Sequence, residues 1–382
     1  MRKKKIAIVG AGNAACITAM QYYLMGKDEI DKITIYYDPS NPIERVGQGS
    51  ILSISLMINS FFYLDFLDNN IIKSTRKEGI MYENWGQKNK KIFHSFPQSM
   101  TALHYVPNLL SQAVLNSGAF EVVEKNIQDP EKEIDSDFIF DCRGRNNRDP
   151  ELYDTLINPL NSVILSRKEK VYSDLVYTRT VATPNGWTFV IPNTDSTSYG
   201  YLYNNTITPK EEAKKDFIER FDVVPDGDLS FENYIAKNCF QGDRTILNGN
   251  RLSFLEPLEA TSTGFYLHVA LNAWGYIFHG VEKEYINQEV RKEMLRLQNF
   301  ILWHYQTGSK FKTPFWDYAK SLPFNPDEDF NYILNHCTHQ DFSTIIRNEA
   351  RNGAQSMYSQ WSPSSFKCWA EGVTLDKPEE SN

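Results

Sequence analysis

Apolar residues crowd at Ile6 to Val9, stop at Gly10 and Gly12, and resume in a small-residue stretch from Ala14 onward. That is the order of a buried strand, a tight turn and a helix. A second apolar run, Lys32-Ile-Thr-Ile-Tyr-Tyr37, ends at Asp38, and a third, Asp137-Phe-Ile-Phe-Asp141, runs through Cys142 into a turn at Gly144. With a helix expected over Thr101 to Asn116 and a return through Gly249 to Gly264, these pieces predict one discontinuous α/β domain.

A different pattern fills the gaps. From about Ile51 to Pro97, and again from about Leu160 to Asn205, polar residues alternate with apolar or aromatic ones, which predicts strands of an inserted sheet. Beyond Pro209, apolar residues return at helical spacing: Ala213, Phe217, Ile218 and Phe221 mark one amphipathic helix. Tyr285, Ile286, Val290, Met294, Leu297 and Ile301 mark another over about Glu282 to Tyr305. Such a stripe is read as core. The expected division is 1–50, 99–150 and 240–280 for the nucleotide-binding domain, 51–98 and 151–239 for the sheet region, and 281–382 for C-terminal helices. The tail holding Pro378, Glu379 and Glu380 is expected to be disordered.

Composition narrows the function classes. A chain of 382 residues with 41% hydrophobic content can bury a large core. Forty basic against 48 acidic residues give a net charge of −8, which argues against a nucleic-acid partner. No stretch has the length of a membrane span, and the first strand begins too early for a secretory signal. The five cysteines include no CxxC pair, so reduced thiols and a cytoplasmic setting are expected. His336 and His339 flank Cys337 at helical spacing, and without a second ligand cluster they predict a helix surface and no metal.

Two segments carry chemistry. Gly10-Ala11-Gly12-Asn13-Ala14-Ala15 has the strand–turn–helix context of a dinucleotide fingerprint. Gly10 makes the turn, Gly12 lets a pyrophosphate approach the backbone, and Ala15 lets the helix pack on the strand. The phosphates would face the helix N-terminus beside Asn13 and Ala14, and Asp38 could accept a ribose hydroxyl. In Phe254-Leu-Glu256-Pro257-Leu-Glu259-Ala-Thr261-Ser262-Thr-Gly264-Phe265, Pro257 forces a turn and the small residues after it expose amides that can hold an anion. Taken alone, the segment reads as a helix entry with a capping hydroxyl.

Further segments, in family order, resemble the tryptophan halogenase family of flavin-dependent halogenases. Arg45-Val-Gly47-Gln48-Gly49-Ser50 is a weaker echo and resembles that family's flavin strap. Lys77-Glu-Gly79-Ile80-Met-Tyr82-Glu-Asn-Trp85 resembles its lysine segment, and Gly186-Trp187-Thr-Phe189-Val-Ile191-Pro192 its tryptophan motif, with Phe189 where a second tryptophan usually stands. Leu247-Asn-Gly249-Asn250-Arg251 through Glu259 is similar to its flavin and halide segment. Weaker echoes lie at Gly200 to Tyr203, at His304-Tyr305 and at Thr313-Pro-Phe-Trp316. The resemblance implies an FAD-binding Rossmann-like domain of the hydroxybenzoate-hydroxylase type, with an inserted β-sheet substrate region and C-terminal helices.

It also implies a reaction in two places. FAD, as FADH2 delivered by a separate flavin reductase, would be held by the fingerprint, Asp38, the strap residues and Asn250. With dioxygen and a halide ion at Thr261 and Ser262, it would yield hypohalous acid. That oxidant would pass to Lys77, with Glu259 orienting it or taking the arene proton, and Trp85, Trp187 and Phe189 would wall the passage or stack on a small aromatic substrate. On its own Lys77, between Arg76 and Glu78, reads as surface charge, and Glu256 reads as structural. The chain is shorter than the tryptophan-specific members, from which a more open site, an indole or phenol substrate and a preference for bromide or iodide are expected. An aromatic hydroxylase and a non-catalytic flavoprotein are the rival readings, and a homo-oligomer is left open.

Overall fold

The computed structural model describes residues 2–43, 46–63, 71–86, 91–96, 101–145, 148–169, 175–338 and 357–374. Its first sheet has six strands in the order 240–241, 245–247, 138–141, 4–9, 30–37, 121–124. The central strand Lys4–Val9 runs parallel to Ile30–Tyr37 on one side and to Phe138–Asp141 on the other. Ile6, Ala7, Ile8 and Val9 are all buried, as the near-continuous apolar run of a sheet covered on both faces requires. Helix Asn13–Met25 makes the crossover between the first two strands, and helix Ser262–His279 packs against it, with the Tyr22 hydroxyl donating to the Ala270 carbonyl at 3.1 Å.

The second sheet has seven strands in the order 225–230, 162–169, 196–203, 186–192, 178–183, 79–83, 91–95. All its pairings are antiparallel except that of Thr178–Thr183 with Gly79–Glu83. Helices Lys283–Thr307, Pro314–Ser321 and Pro363–Thr374 follow in the C-terminal part of the chain, the last of them beside strand Lys91–Ser95. No helix among the described residues is long and apolar enough to cross a membrane.

Two sequence expectations are corrected. Residues expected to begin the inserted sheet instead form helix Leu52–Phe62, whose buried positions Ile54, Ser55, Met57, Ile58 and Phe61 follow the helical period. The Ile–Ser–Leu alternation resembled a strand because the helix also buries a serine. The helix expected from Thr101 is a strand over Ala102–Tyr105, and the helix Pro107–Leu115 begins only at the proline. Proline is well placed at a first helical position because its missing N–H is not needed there.

A small three-stranded sheet matters most for the site. Its central strand Ala102–Tyr105 pairs antiparallel with Gln48–Gly49 on one side and Thr75–Lys77 on the other. His104 therefore lies opposite Gly49 and opposite Thr75 at once. In this way the backbone of the strap is tied to the strand that carries Lys77.

Candidate active site

At the glycine turn, Gly10 has φ +122°, and an added Cβ would lie 2.6 Å from the Cys142 carbonyl oxygen, so only glycine fits. Gly12 differs: an added Cβ would meet nothing within 4 Å. It precedes a 13-residue helix that lacks a side-chain cap and has no acidic residue in its first turn. Its first amides are thus left for an anion. Asn13 accepts the Tyr105 hydroxyl at 3.0 Å, and Ala14 and Ala15 are buried on the strand. Gly249 has φ +64°, and a Cβ there would lie 2.6 Å from that of Ala14, so the segment holding Asn250 closes directly on the fingerprint helix. The Asn250 side chain accepts from the Tyr266 hydroxyl at 3.1 Å. Asp38 follows strand Ile30–Tyr37 and is half-buried, its carboxyl lowered by hydrogen bonds from Ser40. Arg45 lies outside the described residues. These features suit the pyrophosphate of a dinucleotide.

Lys77 is buried, with 1% of its surface exposed. Its Nζ donates to the Ser50 carbonyl at 3.2 Å and lies 5.4 Å from the Phe96 ring centroid. Burial pulls the ammonium down to about 8, and the nearby Glu259 charge opposes that fall. An added Cβ on Gly49 would come 3.2 Å from Lys77 Nζ and 3.6 Å from the Ala260 Cβ. Gly49 therefore lies between the lysine and the turn that carries Glu259. Gln48 donates to the Gly49 carbonyl, and the Gly47 amide to Ser198 Oγ.

Glu259 and Ala260 both sit in the left-handed region, at φ 74° and 55°. For non-glycine residues each costs about 1–3 kcal/mol, a strain that persists where surroundings impose it. The pair forms the turn between Pro257 and the 18-residue helix that starts at Ser262. Thr261 occupies the cap position of that helix without a side-chain cap bond, so its hydroxyl does not close off the first amides. The turn thus offers an anion a capless helix start. His304 Nε2 lies 3.0 Å from Glu259 Oε1, at ion-pair distance without the alignment of a good hydrogen bond. Trp361 Nε1 donates to Glu259 Oε2 at 2.9 Å.

Trp85 is fully buried, donates to the Thr180 carbonyl at 3.0 Å, and meets His304 edge-on at 6.0 Å. Trp187 donates to the Tyr305 hydroxyl at 3.0 Å and to Glu256 Oε2 at 3.3 Å, while Tyr305 itself donates to that oxygen at 2.6 Å. Burial pushes the Glu256 carboxyl up to about 7, despite those bonds. Phe189 packs over Gly200, where an added Cβ would come 2.2 Å from its ring.

The structure thus brings Lys77, Gly49 and Glu259 together from three distant segments. Thr261 and Ser262 adjoin them, and Trp85 reaches the same cluster through His304. Trp187 and Phe189 lie edge-on to each other at 6.3 Å, and Trp187 is bonded to Tyr305, the residue next to His304. Sequence reasoning gave His304 no role, although it continues the apolar stripe three residues beyond Ile301. A polar residue on a buried stripe was the available signal. Trp361 had none, since it lies 102 positions from Glu259. A more open site was expected from the chain length, yet Trp361 and Trp369 close over Glu259 and His304, with Trp369 4.1 Å from the His304 ring. His339 lies outside the described residues, and no metal-holding group of acids, histidines and cysteines occurs among the described ones.

A largely parallel sheet with a glycine turn suited to a dinucleotide is joined to a small three-stranded sheet that carries the buried Lys77 and to a strained turn that carries the buried Glu259. The chain belongs to the tryptophan halogenase family, whose sequence profile it matches over residues 5–117 and 111–372. It is 27% identical over 165 residues to tryptophan 7-halogenase KtzQ of Kutzneria sp. (strain 744), and 25% identical over 157 residues to tryptophan 7-halogenase RebH of Lentzea aerocolonigenes. Those stretches cover 39% and 38% of this chain but only 29% of each relative. Among solved structures, the flavin-dependent halogenase Xcc4156 from Xanthomonas campestris superposes with a TM-score of 0.79 at 16% identity, covering 98% of this chain and 89% of that one. A tryptophan halogenase from Shewanella frigidimarina NCIMB 400 gives 0.78 at 15% identity, covering 100% and 91%. At those identities the likeness is one of fold.

Proposed function

We propose that this chain is an FADH2-dependent halogenase that transfers an electrophilic halogen to an electron-rich aromatic ring at Lys77 and Glu259. The observation that carries this reading is the buried Lys77 amine, held against the strap at Ser50 and set beside Glu259. A buried lysine opposite a buried carboxylate, on strained backbone next to a capless helix start, has no evident purpose in packing alone.

When bound, the reduced flavin supplies hypohalous acid from dioxygen and halide. The residues of the chain do the rest. The amides at Thr261 and Ser262 favour a halide, since a helix start presents N–H groups and the positive end of its dipole. With its ammonium pulled down to about 8, Lys77 is available near neutral pH both as an amine and as an N–H donor toward the halogen. Glu259 stabilises the positive charge that grows on the ring and takes the arene proton. His304 Nδ1 faces the Phe300 carbonyl at 2.8 Å and must donate to it. Nε2 is thus the atom that can pass a proton to or from Glu259.

Electrons would come from a separate flavin reductase, and the five free cysteines suit the cytoplasm. Indoles and phenols are the substrate classes to try. The preference for bromide or iodide rested on an open site, which the packed Trp361 and Trp369 do not support. The test is mass spectrometry of an indole and phenol panel incubated with protein, FAD, a flavin reductase and each halide in turn. Halogenated product supports the reading, whereas products that gain oxygen and never halogen would replace it with an aromatic hydroxylase.

A further inference from the structure

Glu259 Oε2 accepts the Trp361 indole N–H at 2.9 Å, while Oε1 faces His304 Nε2 at 3.0 Å without a hydrogen bond. The Trp361 ring lies flat on Phe300, with centroids 3.8 Å apart and planes 13° apart, and it is 4% exposed. A carboxylate to accept an N–H and an aromatic face to stack on are what an incoming indole would need at this point. The cavity that remains beside His304, against Tyr82, His94, Ser365 and Trp369, is about 10 Å³ and holds no more than a water.

The segment that carries Trp361 is a compact turn anchored by Tyr358, which is buried against Phe330 and Phe366. Tyr358 and Trp361 exchange two backbone hydrogen bonds, at 2.9 and 3.0 Å, around Ser359 at φ 55°. Gln360 Nε2 donates to the Thr261 carbonyl at 3.0 Å, and Ser359 Oγ to Glu293. The turn therefore spans Glu259 and Thr261, the cap position of the helix that starts at Ser262.

We propose that Trp361 is an internal occupant of the arene position: its indole holds Glu259 in the free protein, and an aromatic substrate binds by displacing it. The inference rests on the reading of Glu259 as the carboxylate that faces the arene. Trp361 then sets specificity, because a ring that restores both the N–H bond and the stack on Phe300 competes better than one that restores the stack alone. Apparent affinity is reduced by the fraction of molecules in which the turn is closed.

The test uses the protein without flavin or halide, so its outcome does not depend on whether halogenation occurs. Isothermal titration with indole is compared for the wild type, Trp361→Phe, which keeps a ring on Phe300 but loses the N–H, and Trp361→Ala, which vacates both. Affinity should rise in that order, with Trp361→Ala tighter than wild type by about tenfold or more. In the wild type, saturating indole should also move the Trp361 indole N–H resonance, a readout that stands if the variants fail to fold. A folded Trp361→Ala protein that binds indole no more tightly than the wild type, or an N–H resonance that stays in place, would overturn the proposal. Tightened binding in a protein that never halogenates would keep this inference and remove the proposed activity.

Discussion

His304 Nε2 sits 3.0 Å from Glu259 Oε1, and the other nitrogen of the ring is committed to the Phe300 carbonyl at 2.8 Å. Nε2 is therefore the ring nitrogen left facing the carboxylate. Both residues are buried, where such a pair is sensitive to the loss of either member. His304→Gln is expected to slow halogen transfer by about 10- to 100-fold, a typical range for an assisting proton-transfer group. It should leave hypohalous acid formation intact and alter the pH profile of transfer. A pH profile identical to wild type would reduce His304 to packing.

The pull on Lys77 gives a second prediction. Its pKa in the fold, about 8, lies below the ordinary lysine value of 10.5, so between those pH values the unfolded chain binds more protons. Stability therefore rises with pH across that window. Lys77→Met should be more stable than wild type at pH 7, and the advantage should shrink as pH approaches 10.5. Denaturant titrations at several pH values check this. The transfer rate should also change through an inflection near pH 8: a rise marks the amine as nucleophile, and a fall marks the ammonium as donor.

Glu256 has the opposite charge type and the opposite slope. Burial raises its carboxyl from 4.5 to about 7, so the folded protein keeps a proton that the unfolded chain has lost, and stability falls as pH climbs through that interval. Glu256→Gln should gain stability relative to wild type over the same range. Parallel stability curves for the two proteins would contradict the assignment.

The two fingerprint glycines should separate folding from binding. An added Cβ at Gly12 meets nothing within 4 Å, so in Gly12→Val the fold should survive while FAD affinity is lost, because the branched side chain occupies the pyrophosphate's approach. Gly10→Val should instead damage the fold, since its Cβ would collide with the Cys142 carbonyl. Flavin titration and thermal melts distinguish the two, and unchanged FAD affinity in folded Gly12→Val would remove the cradle.

How far these features were legible follows from their range along the chain. The parallel core was plain because Ile6 to Val9 and Ile33 to Tyr37 are apolar runs next to diagnostic turns, and such local signals survive folding. Helix Leu52–Phe62 was misread because a short run of isoleucine, serine and leucine fits either period until its partner surface is known. Lys77 and Glu259 were singled out through motifs, yet their neighbourhood depends on the pairing of Gln48–Gly49 and Thr75–Lys77 around one central strand. That register is a long-range fact. Trp361 shows the same limit more sharply, since nothing in Gln360-Trp361-Ser362 announces a hydrogen bond to a residue far upstream.

The central claim is that the oxidant forms at one centre and is used at another, and Lys77→Ala tests it most directly. The variant should bind FAD and form hypohalous acid at nearly the wild-type rate, measured by halide-dependent oxidation of a soluble trap. With the trap present, it should give no regioselective halogenated product. Wild-type yield and regioselectivity from Lys77→Ala under those conditions would contradict the account and leave the buried lysine without a part in the chemistry.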